Sequence, residues 1–113
     1  MSYQGSYAAG DTIYWEFATA LNGVPVVFSG SPAVEVYKDS LTPSTTGVTL
    51  TIDYNGITGL NQFLVDTSAD STFYDSGSQF TVVVSSGTVN GKNVTGRTVG
   101  SFGLDTETIK HVS

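Results

Sequence analysis

The chain has 113 residues, of which only 12% are charged, about half the share usual in a soluble domain. Its 39% hydrophobic and 12% aromatic content excludes a disordered chain, and the absence of Cys excludes a disulfide scaffold, thiolate catalysis and thiolate metal sites. The net charge is −6, with Lys38, Lys92, Arg97 and Lys110 as scattered cations; this excludes non-specific nucleic-acid binding, which needs clustered cations, and disfavours anionic membrane surfaces.

In chain order, residues 1–10 are expected to form an N-terminal arm of small residues, with Tyr3 and Tyr7 outside any strand. They hold no Lys or Arg and no apolar stretch, so no secretory signal is expected and synthesis in a host cytoplasm is. Thr12–Phe17 alternates strictly, with Ile13, Trp15 and Phe17 on one face and Thr12, Tyr14 and Glu16 on the other. That is the pattern of a half-buried strand. Asn22-Gly23 offers the positive φ angles of a tight turn. Val26–Phe28 reads as a short strand, at an edge because Pro25 cannot donate to a ladder. The run SGSP at 29–32 breaks it, and Ala33–Tyr37 follows with Val34 and Val36 inward.

After a polar loop over 38–47, Val48, Leu50, Ile52 and Tyr54 alternate with Thr49, Thr51 and Asp53. Asn55-Gly56 turns this strand, and Leu60–Asp66 returns beside it with Phe63 and Val65 inward. A second polar loop spans 66–78. Phe80, Val82 and Val84 then share the apolar face of the next strand, and Asn90-Gly91 is a third Asn-Gly turn. A final strand runs from about Val94 to Leu104, where Gly96, Gly100 and Gly103 predict bulges or the close approach of another group. Trp15, Phe17, Phe28, Phe63, Phe80 and Phe102 fit core positions. No helical period occurs. Short strands joined by Gly, Asn and Ser turns predict one immunoglobulin-like antiparallel β-sandwich of about seven strands over 11–106, followed by a C-terminal tail at 107–113.

The chemistry-bearing residues are few. His111 is the only histidine and is the third residue from the end, on the predicted tail, so Ser-His-Asp catalysis has no support. No catalytic residue and no cofactor is assigned. Asp66, Asp70 and Asp75 are weak metal candidates: oxygens recur at alternate positions of the loop, but Ser71 and Gly77 stand where a Ca²⁺ loop of the helix–loop–helix type needs Gly and Glu. A solvated turn is the preferred reading of these residues. The sequon Asn93-Val94-Thr95 is read as an accident of composition. Tyr3, Tyr7, Tyr14 and Tyr37 are the candidate partner-interface residues, because exposed tyrosines serve as anchors on a partner surface.

Two resemblances follow. Tyr74–Phe80 resembles the start of the sixth strand of immunoglobulin-like domains, where a tyrosine corner pins a loop. The series Gly10-Asp11-Thr12, Phe17, Asn22-Gly23, Pro25 and SGSPAV at 29–34 resembles small β-sandwich virion proteins of tailed bacteriophages. The later runs GVTLTIDYNGITGLN, VDTSADSTFYDSGS and GTVNGKNVTG resemble hairpins of the same family. This resemblance implies a non-enzymatic structural protein of the virion, in the capsid-decoration (cement) or tail-accessory class. It implies phage capsid or tail proteins as partners, and a homo-oligomeric or lattice-bound state. A carbohydrate- or host-receptor-binding sandwich is the alternative, and it needs a patch of exposed aromatics, for which Tyr37, Tyr54 and Tyr74 are candidates.

Overall fold

The computed structural model describes residues 3–39 and 41–105, with side chains for residues 7–39 and 41–104. Two sheets pack face to face as a β-sandwich. The larger runs in the order β1 (Tyr3–Ala8), β11 (Thr98–Asp105), β9 (Gln79–Val89), β5 (Phe28–Lys38), β6 (Thr42–Ser44), with β10 (Lys92–Asn93) paired to the far end of β9. The smaller runs β2 (Thr12–Ala18), β8 (Leu60–Asp66), β7 (Val48–Thr51). A two-stranded hairpin, β3 (Ala20–Leu21) with β4 (Val24–Pro25), caps one end.

The alternation in the sequence fixes which face each strand buries. Ile13 and Trp15 of β2 and Phe63 and Val65 of β8 face Val34 and Val36 of β5, Phe80, Val82 and Val84 of β9, and Phe102 and Leu104 of β11. The Trp15 indole meets Phe63 edge-on at 4.0 Å between centroids and Phe102 at 5.9 Å, and Phe80 stacks on Phe102 at 5.1 Å. Burying one such ring stabilises the fold by roughly 2–3 kcal/mol, and the edge-on geometry adds a smaller gain from the ring quadrupoles. Phe17, expected in the core, is only half-buried because it sits where the sandwich opens.

All three Asn-Gly pairs turn the chain with both residues at positive φ. The values are 52° and 80° at Asn22-Gly23, 58° and 73° at Asn55-Gly56, and 51° and 79° at Asn90-Gly91. The predicted pairing of 48–54 with 60–66 is the β7–β8 ladder, Val48 opposite Val65. That strand stops at Thr51, however, since Asp53 is left-handed (φ 51°) and starts a 3₁₀ turn over Tyr54–Gly56. Tyr54 is consequently half-buried on that turn and not on the core face.

Three further expectations are corrected. Residues 3–8 are not an arm outside the strands but β1, which pairs in parallel with β11, Tyr3 opposite Ser101 and Ala8 opposite Asp105. The sandwich is therefore mixed rather than wholly antiparallel. Phe28 and the strand at 33–37 belong to one strand, β5, with Val26 and Val27 outside it, and its ladder to β9 shifts register between Ser29 and Ala33. The SGSP run is absorbed there as a bulge, with Gly30 and Ser31 at φ 74° and 57°, and the bulge accommodates Pro32 within a strand. The final strand begins at Thr98 and not at Val94. The tail at 107–113, with His111, lies outside the described residues.

Candidate functional site

The acidic loop closes on itself. Asp66 accepts hydrogen bonds from the Ser68 amide (3.0 Å) and the Ser68 hydroxyl (2.6 Å), and Asp70 from the amides of Thr72 and Phe73, both 3.1 Å. Asp75 accepts from the Ser78 hydroxyl at 2.6 Å and pairs with Lys38 at 3.2 Å. The Ser78 hydrogen bond, with Lys38, holds the Asp75 carboxyl below its usual value. Each carboxylate thus clamps its own turn, as Asx-type bonding favours. Among the described residues the three do not converge, and no three acidic or histidine groups do.

Tyr74 anchors this loop to the segment that leads into β7. It is buried, and its hydroxyl donates to the Thr46 carbonyl at 2.7 Å. Burial, with the nearby Asp70 charge, pushes its hydroxyl up to about 12. Phe73 and Phe80 pack round it at 4.9 and 5.5 Å, and the Lys38 ammonium lies 5.7 Å above Phe73. This Tyr is a structural pin.

The four tyrosines proposed as interface residues are not brought together. Tyr14 stands 58% exposed on the outer face of the smaller sheet. Tyr37 is half-buried on the outer face of the larger one, where it donates to Glu35 at 3.0 Å; that bond raises its pKa. Tyr7 is half-buried and packs against the core. The backbone of Tyr3 lies in β1, and its side chain is outside those described.

Two features were missed from sequence. An open cleft of about 430 Å³ lies between the sheets, floored by Phe17, Val84, Val94 and Val99 and rimmed by Glu16 and Arg97. Its walls come from the end of β2, from β9 and from the segment entering β11. The half-buried Phe17, one turn from Asn22-Gly23, is its only local signal. The second feature is an exposed apolar tip. Leu21, Val24 and Val27 at the β3–β4 hairpin are exposed, as is Ile57 on the β7–β8 turn. The hairpin is held against that turn by Asn61, whose amide donates to the Phe17 carbonyl (3.3 Å) and the Thr19 hydroxyl (3.2 Å), while Thr19 donates to the Val26 carbonyl (2.7 Å).

What the geometry defines is an all-β sandwich whose outer sheet faces, among the described residues, carry few charges. No protein-family profile, curated protein or solved structure matches the chain.

Proposed function

We propose that the chain is a non-enzymatic structural component of a phage virion. It binds the capsid or tail lattice, with a decoration (cement) role favoured over a tail-accessory one. The observation that carries this reading is the distribution of charge. On the outer faces Thr12, Tyr14, Ala18, Leu64 and Thr49 of the smaller sheet, and Tyr37, Thr81 and Val83 of the larger, surround Glu16, Asp66 and Glu35. Uncharged side chains lose less hydration than ions when covered, so these faces suit permanent contact with neighbours. The family resemblance of the hairpin sequences points the same way.

The strand order supports the immunoglobulin-like form of the sandwich. β2-β8-β7 stands as B-E-D, and β11-β9-β5-β6 as G-F-C-C′. Tyr74, five residues before β9, takes the place of the tyrosine corner. The glycan-binding alternative gains nothing from the tyrosines, since Tyr74 is buried and Tyr37 and Tyr54 are half-buried.

The test is sedimentation of the purified chain with tailed-phage particles, empty capsids and isolated tails, beside retention on a glycan array. Saturable co-sedimentation with capsids is expected. Glycan retention without particle binding would overturn the reading.

A further inference from the structure

β2 is a free edge whose backbone parity is known. The β2–β8 ladder runs without a register shift from Thr12–Asp66 to Ala18–Leu60. Just beyond its ends the Thr19 amide donates to the Gly59 carbonyl (2.8 Å) and the Thr67 amide to the Asp11 carbonyl (3.1 Å). In an antiparallel ladder, hydrogen-bonded residues alternate. The odd residues of β2 therefore aim their backbone groups at β8, and Thr12, Tyr14, Glu16 and Ala18 aim theirs outward. Among the described residues no strand pairs with that side.

The edge also lacks the devices that normally blunt one. β6 is three residues long with Pro43, β7 is four residues long, and β1 is irregular between Tyr3 and Ser6. β2 runs seven residues with no Pro, Lys, Arg or bulge, and Glu16 is its one charge.

We propose that β2 pairs antiparallel with β2 of a second copy of this chain, across a two-fold axis at Trp15, joining the two smaller sheets into one. Parity and charge together select this register. Outward-aimed residues must oppose each other, so the two-fold falls on Tyr14, Trp15 or Glu16. Centring on Glu16 sets two carboxylates face to face, and centring on Tyr14 leaves Ala18 without a strand partner. Centring on Trp15 uses all four outward residues and forms about eight backbone hydrogen bonds. It sets Tyr14 opposite Glu16 of the partner subunit on the outer face, a hydroxyl–carboxylate pairing of the kind Tyr37 makes with Glu35 within the chain. This inference does not depend on the virion reading.

Amide hydrogen exchange and light scattering of the isolated chain, from about 1 µM to about 1 mM, test it. The mass should rise toward twice 11.8 kDa, and the amides of Thr12, Tyr14, Glu16 and Ala18 should slow with it. Tyr14→Glu should weaken the dimer by about fivefold or more, and Tyr14→Lys should tighten it by a similar factor. Thr49→Lys, carrying the same charge change on an exposed residue of β7, should leave it within about twofold. Tyr14→Pro removes an outward amide together with the Tyr14–Glu16 pairing, leaves the amides bonded to β8 in place, and should give a folded monomer. A chain that stays monomeric throughout, a dimer protected at other amides, or a dimer indifferent to the sign of the charge at Tyr14 would overturn the proposal.

Discussion

A Cβ on Gly100 would meet the Trp15 indole at three of its ring atoms. The same indole donates to the neighbouring Val99 carbonyl at 3.3 Å, so the ring has no room to withdraw. Gly100→Ala should destabilise the domain by about 2–3 kcal/mol, the upper part of the range for overpacked cores, read as a lower urea midpoint with a shifted Trp15 emission. The sequence marked Gly100 as a place of close approach but did not name Trp15, because the two residues are brought together only by the packing of opposite sheets. Tyr74 is comparable. Removing its hydroxyl in Tyr74→Phe leaves the Thr46 carbonyl without its donor and should cost about 1–2 kcal/mol. Its pH signature has a definite sign: a phenol raised to about 12 from 10.0 favours the folded state below the unfolded value. Stability should decline as pH rises from 10 toward 12, and Tyr74→Phe should lack that decline in chemical denaturation at each pH.

At the scale of elements, the β3–β4 hairpin depends on Gly59. Its φ is +81°, and a Cβ there would stand 2.8 Å from the Thr19 carbonyl and 2.9 Å from the Pro25 Cβ. Gly59→Ala should therefore cost about 1–2 kcal/mol for the left-handed backbone alone, and more from the contacts. Faster amide exchange at Thr19 and Val26 would report the hairpin lifting away. Strands with strict alternation, such as Thr12–Phe17 and Phe80–Val84, were legible because half-burial imposes a period of two. β1 was not: YQGSYA has no such period, and it becomes a strand through β11, more than ninety residues later. Ser29–Ala33 looked like a break because Gly and Pro punctuate chains locally, whereas the pairing of β5 with β9 on both sides carries the strand through. The cleft escaped for the same reason as the Trp15–Gly100 contact, since its walls come from distant segments.

The whole molecule measures 42 × 28 × 20 Å. Five of its ten acidic residues, Asp11, Asp39, Asp53, Asp70 and Asp75, lie between strands, and on the outer sheet faces Glu16, Glu35 and Asp66 stand among Thr, Ser, aliphatic and uncharged aromatic side chains. Low overall charge was visible in the composition; its concentration at the ends of strands became visible only with the fold. Contact through such faces should be insensitive to ionic strength. On the virion reading, affinity for the particle is expected to change by less than about threefold between 0.05 and 0.5 M salt, because few charges are there to be screened. The most direct test of the virion reading is the chain's copy number in gradient-purified tailed particles from a lysate that expresses it, measured by quantitative mass spectrometry. A fixed copy number per particle, retained through high-salt washing, is the predicted result. Recovery of the chain only in the soluble fraction, with none in the particles, would contradict it.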